Sequence, residues 1–192
     1  MKKHYIGILL LPIIIATACN EAAKEEKENT SPVITSTQLA ERGKYLVDVM
    51  GCNDCHSPKV MTAHGPEPDT TRLLSGHPSD LPIGPVDTAT LRNWVLFHPM
   101  QTSAVGPWGV SYAANITSDE TGIGNWSEGQ FIKAIREGKY KGLDGGRSLL
   151  PPMPWPSFAK ATDEDLRAIF TYLKSTKPIH NVVPPPIPPK HA

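Results

Sequence analysis

Cysteine is scarce in this 192-residue chain, which has only Cys19, Cys52 and Cys55. With one cysteine besides the pair at 52 and 55, there is no second pair of thiolates to complete a zinc site of the usual kind. Net charge is missing too. Nineteen basic residues balance 19 acidic ones, so nothing in the overall charge points to nucleic acid. No apolar run is long enough to cross a bilayer comfortably, since residues 6–15 fall short of the ~20 that a spanning helix needs. No convincing internal repeat is present. What is abundant is proline, at 20 residues, which with 15 glycines predicts a few helices joined by long irregular connections. A hydrophobic fraction of 39% suits one compact core with tails.

The N-terminus reads as an address. Lys2 and Lys3 precede the apolar stretch 6–15, and small residues lead to Cys19. Ala16-Thr17-Ala18-Cys19 resembles the lipobox of bacterial lipoproteins, in which the cysteine is lipidated and becomes the first mature residue; it departs from that pattern at Ala16, where leucine is usual. An ordinary cleaved signal peptide is the alternative. Residues 1–18 are therefore expected to be a lipoprotein-type signal. Residues 19–36 are expected to be a solvated tether, because 21–32 are rich in Glu, Lys and Ala and hold no large apolar residue. A folded domain over 37–178 and a proline-rich extended tail over 179–192 complete the chain. Without Lys2 and Lys3, 17 basic residues face 19 acidic ones, about −2 in net charge and too little to select a partner.

Three segments carry helical periodicity. The first, about 37–50, aligns Leu39, Ala40, Gly43, Leu46, Val47 and Met50 and delivers the chain to Cys52. The second starts at Ser127, where Ser127 and Gln130 can form a capping box, and stops near Gly138. In the third, Thr162 caps, three acidic residues face the positive end of the helix dipole, and Leu166, Ile169, Phe170 and Leu173 make a buried stripe. Residues 57–125 show only scattered apolar positions, and loops wrapped over something large are expected there.

Cys52-Asn53-Asp54-Cys55-His56 is a CxxCH motif: two thiols spaced to reach both vinyl groups of a haem, then an imidazole placed to ligate iron. A thioredoxin-like redox pair would need a strand before it and a helix after it, whereas a helix precedes here and Ser57-Pro58 follows. A haem that only carries electrons also wants a sixth ligand, and a methionine thioether favours the reduced iron. Met100 and Met153 are the candidates far enough along the chain. The stiff Pro151-Pro152-Met153-Pro154-Trp155 sequence favours Met153, because little extra entropy is lost in holding its sulfur. His64, His77, His98, His180 and His191 fall in loops or tails, where solvated rings are expected; His98 is the rival distal ligand. Trp126, Trp155 and Tyr112 are candidates to line the haem pocket or reach its propionates, as Arg147 is to pair with one.

Gly43-Lys44-Tyr45-Leu46 before the CxxCH motif, a methionine loop, and a last helix with Leu166 and Tyr172 resemble a class I cytochrome c. Asn115-Ile116-Thr117, the run 121–126, Leu150 through Trp155 and Asp163-Glu164-Asp165-Leu166 resemble, more narrowly, the haem domains of bacterial dehydrogenase cytochrome subunits. Those often carry several haems, and this chain has one CxxCH. The resemblance implies an all-α cytochrome c fold of three or more helices, with long Pro/Gly-rich loops around one haem c. It further implies close crossing of the first and last helices at Gly43 near Tyr45 and Tyr172, and Met153 closing the pocket. The expected function is one-electron transfer without catalysis, from a dehydrogenase to an oxidase or another cytochrome. The expected location is the bacterial cell envelope, facing the periplasm or the surface, with a lipid anchor at Cys19 and no nucleic-acid partner. A haem enzyme or gas sensor with an open or weakly held sixth position is the alternative. The proline-rich tail as a docking element of a larger complex is a further reading, compatible with electron transfer.

Overall fold

Thr35 opens the first helix, α1 (Ser36–Val49), through a capping box: its Oγ1 accepts from the Gln38 N–H at 3.2 Å, and its own N–H donates to Gln38 Oε1 at 2.9 Å. The structure, a computed structural model, describes residues 34–85 and 90–189, so the signal segment, Cys19 and most of the tether lie outside the described residues. At Gly51 the chain turns into α2 (Cys52–His56). α3 (Glu128–Glu137) carries the Ser127–Gln130 box, α4 (Trp155–Phe158) is a single turn, and α5 (Asp163–Ser175) is capped by Thr162, whose Oγ1 accepts from the Asp165 N–H at 3.0 Å. α1, α3 and α5 stand where the periodicity places them.

α1 lies across α5, and the two supply most of the core: Leu46 and Val47 meet Leu166, Ala168, Ile169, Phe170 and Leu173. Phe131 of α3 adds its ring 5.4 Å from that of Phe170, and Leu74 and Ile123 enter from loops. An Arg42–Asp165 ion pair at 2.9 Å flanks the crossing. Tyr172 packs against the core beside it, while Tyr45 is exposed.

The chain is not all-α. Besides five helices, the described residues form two small antiparallel sheets: β1 (Lys59–Thr62) with β2 (Gly65–Pro68), and β3 (Leu96–Phe97), β4 (Ser103–Gly106) and β5 (Gly109–Tyr112) in that order. These strands are two to four residues long, too short to show a period-2 pattern, and several of their residues are Gly, Pro, Ser or Lys, which propensity leaves in loops. What makes them strands is tertiary. Two-residue turns close the β1–β2 and β4–β5 hairpins, and Val110 of β5 exchanges hydrogen bonds of 2.8 and 3.1 Å with Ile187 of the tail. The tail is tied again at Asn181, whose Nδ2 donates to Ser75 O at 2.7 Å and His77 O at 2.9 Å, and whose Oδ1 accepts from the Ser79 N–H.

Two Asp-x-Thr turns pin the loops. Asp69 Oδ1 accepts from the Thr71 N–H (2.9 Å) and hydroxyl (2.6 Å) while Oδ2 meets Arg72 at 2.8 Å; Asp119 accepts from Thr121 in the same way. The Thr71 hydroxyl, with Arg72 next, holds the Asp69 carboxyl down at about 2, and Thr121 lowers Asp119. Because the folded value lies below the ordinary ~3.9 of an aspartate, the stability this gives is complete above that pH and is lost as pH falls toward 2. Asp69→Asn should therefore flatten the acid limb of thermal unfolding between about pH 4 and 2. An acid limb identical to wild type would disprove the assignment.

Candidate haem site

α2 presents both thiols and the imidazole within five residues, and its surroundings decide what they can do. Cys52 and Cys55 are free and half-buried, and Cys52 packs on the edge of the core. Burial pushes the Cys52 thiol up to about 11 and raises Cys55 as well. A redox-active CxxC pair works through a thiol held below its ordinary pKa, so these environments oppose that chemistry. No cluster of three or more His, Cys, Asp or Glu able to hold a metal occurs among the described residues.

His56 is half-buried, and its Nδ1 donates to the carbonyl of Ala114 at 2.7 Å. A carbonyl can only accept, so the proton sits on Nδ1 and the lone pair on Nε2 is free for iron. Burial also lowers the His56 pKa, so the ring is neutral at neutral pH. This donor set fits a covalently attached haem: two thiols to add to its vinyl groups and one imidazole in the right tautomer.

The Ala114 carbonyl is itself placed by the loops. The Ile116 N–H donates to Leu74 O (2.9 Å), the His77 N–H to Ala113 O (2.9 Å) and the Gly76 N–H to His56 O (2.7 Å), so residues 74–77 lie between α2 and residues 113–116. Gly76, at φ 78°, has no room for a side chain: a Cβ there would stand 2.5 Å from the Ala114 carbonyl carbon.

Met153 is half-buried, in a loop whose Pro151–Pro152 bond is cis. The Ser111 hydroxyl donates to Pro151 O at 2.6 Å and accepts from Trp108 Nε1 at 3.2 Å. Ser111 thus carries the methionine loop, and Ala114, three residues on, carries His56. Three residues of chain span at most about 11 Å, which brings both candidate ligands to one short stretch of backbone. Ser111→Ala removes the partner of a part-buried carbonyl and of an indole N–H and should lower stability by about 1 kcal/mol, with Ser111→Thr closer to wild type. Denaturant titrations of the two variants check this, and equal stability of Ser111→Ala and wild type would refute it.

The other candidates are dispersed. Trp126 is half-buried against the core. Trp155 places its ring over Gly138 at the end of α3. Arg147 is exposed, its guanidinium 4.0 Å over the Tyr140 ring. His98 Nδ1 accepts from the Met100 N–H at 3.1 Å, so a neutral His98 carries its proton on Nε2. His77, expected to be solvated, is fully buried: Nε2 donates to Leu81 O, Nδ1 accepts from the Thr102 hydroxyl, and the ring lies 4.8 Å from that of Tyr112. Isolated polar residues in a loop give no sign of the tail and sheet that cover them.

Sequence reasoning missed Lys59, Gly76 and Ser111. Lys59 is 5% exposed, and its ammonium donates to Asn53 O (3.0 Å), Asp54 O (2.8 Å) and Ser57 O (2.6 Å), capping the carbonyl end of α2. Burial lowers its pKa against the opposing pull of Asp54. A lysine just past a helix end was the one signal available for it. Gly76 and Ser111 gave none.

A helix bearing CxxCH, an imidazole with Nε2 free and a first helix crossed by a last one define a c-type haem protein. The chain belongs to the cytochrome c family, which it matches over residues 40–177. It is 30% identical to the gluconate 2-dehydrogenase cytochrome c subunit of Pantoea cypripedii over 91% of this chain and 29% of that protein. It is 41% identical to the alcohol dehydrogenase (quinone) cytochrome c subunit of Gluconobacter oxydans over 38% of this chain and 15% of that one, and 39% identical to the fructose dehydrogenase cytochrome subunit of Gluconobacter japonicus over the same shares, 38% and 15%. The chain spans less than a third of the length of these relatives. It is accordingly an electron-transfer haem protein with covalently bound haem c.

Proposed function

We propose that this chain is a single-haem electron carrier in which Cys52 and Cys55 hold the haem, His56 and Met153 are the axial ligands, and no position is left for a substrate. The bound haem supplies an iron that gains and loses one electron. The protein's part is to hold the ligands, exclude water and tune the potential. The observation that carries the reading is the His56 Nδ1 bond to Ala114, which frees Nε2 on the same short backbone stretch that holds the methionine loop through Ser111. The Met100 N–H on His98 Nδ1 supports Met153 over His98. Trp126 and Arg147 are proposed to border the haem, the latter once its guanidinium leaves the Tyr140 ring.

The three relatives are cytochrome subunits of dehydrogenases, so the proposed donor is a dehydrogenase and the acceptor an oxidase or a further cytochrome. Transfer between them needs a small, quickly released interface. No helix among the described residues is long and apolar enough to cross a membrane. Attachment to the bacterial envelope through a lipid on Cys19 is proposed from the lipobox resemblance. The test of the whole reading is the reduced spectrum in alkaline pyridine of protein matured with haem. Wild type should show a c-type haem that stays with denatured protein, at one haem per chain. Cys52→Ser with Cys55→Ser should lose it, and covalent haem retained by the double variant, or absent from wild type, would refute the reading.

A further inference from the structure

We infer that Lys59 serves as a fixed buried charge that raises the reduction potential of the haem, an inference that rests on attachment through Cys52, Cys55 and His56. An ammonium has three donor protons, and Lys59 has three carbonyl partners, so it is saturated and has none left for a ligand or an anion. It forms no ion pair among the described residues: Asp54, the carboxylate whose charge acts on it, is exposed and lies outside salt-bridge distance. The positive charge is therefore neither neutralised by a partner nor exposed to water.

Its position gives that charge an effect. The carbonyls it binds belong to Asn53 and Asp54, which lie between Cys52 and Cys55, and to Ser57, which follows His56, so the ammonium sits on the same turns that hold the haem. Reduction removes one positive charge from the iron, and a nearby positive charge favours the reduced form. In a site shielded from water that interaction is strong and is little weakened by salt. Burying a lysine is costly, and the ammonium that caps α2 keeps its charge on the haem-bearing turns. The cap is thereby also a source of field at the haem.

Two uncharged variants separate charge from hydrogen bonding: Lys59→Met, with no donor, and Lys59→Gln, with an amide that still donates to the carbonyls. Each is first assayed for covalent haem by its pyridine spectrum, then titrated potentiometrically at low and high salt beside wild type. Both should favour the oxidised form at least tenfold more than wild type, a fall of about 59 mV for one electron, at either salt concentration. Unchanged potentials in both variants would overturn the inference. So would a fall in Lys59→Met alone, which would assign the effect to hydrogen bonding, or loss of haem from both variants, which would make the lysine a folding cap. Wild type without covalent haem would instead sink the attachment reading itself.

Discussion

Met153→Ala should abolish the far-red sulfur-to-iron charge-transfer band of the oxidised protein while leaving covalent haem in place. The thioether is a soft ligand that favours the reduced iron, and its loss leaves the sixth position to water or to a nitrogen ligand. The reduction potential should drop by on the order of 0.1 V or more, within the ~0.8 V that axial ligands control. The loop itself should survive, because its anchors are backbone groups: Ser111 on Pro151 O, and the Met153 N–H on Leu150 O at 3.3 Å. Spectra of wild type and variant decide the matter. A band that persists in Met153→Ala excludes this ligand. A band missing from wild type would bring forward His98 or an exchangeable water, and with it an enzyme or sensor.

Gly43→Ala should cost roughly 3 kcal/mol or more, although alanine is the better helix former by about 1 kcal/mol. A Cβ at Gly43 would lie 1.9 Å from Ala168 O, 2.5 Å from its carbonyl carbon and 2.8 Å from Tyr172 Cβ. Two of these atoms are backbone in the middle of α5 and cannot swing aside, so the helices must separate and the buried contacts of Leu46 and Val47 loosen. Gly129, in α3 with nothing among the described residues within 4 Å of its Cβ position, is the internal control: Gly129→Ala should be neutral or stabilise by up to about 1 kcal/mol. Thermal unfolding of both variants tests the pair. Gly43→Ala as stable as wild type would mean that the crossing is looser than the structure shows. Because α1 leads straight into α2, the same variant should also lower the yield of protein carrying covalent haem.

The three long helices were legible because each carries its own signals: a cap at Thr35, Ser127 or Thr162 and apolar residues at helical spacing. The two sheets were not, because strands of two to four residues take their shape from partners distant in the chain rather than from local preference. The burial of His77 and the strapping of the tail over β5 escaped for the same reason. An Asn at 181 bonded to carbonyls more than 100 residues earlier leaves no mark in a window of neighbours.

The sequence alone carries the proposed chemistry of attachment, since the spacing of Cys52, Cys55 and His56 is a local covalent requirement that does not depend on the rest of the fold. It also determined the three long helices, whose hydrogen bonds close within four residues. Tertiary structure decided which nitrogen of His56 is free, through the carbonyl of Ala114, and what steadies the methionine loop, through the hydroxyl of Ser111. It also decided that Lys59 is a buried charge rather than a solvated one. Each of these depends on a polar group meeting its partner in a low-dielectric interior, and only the folded chain brings such partners together.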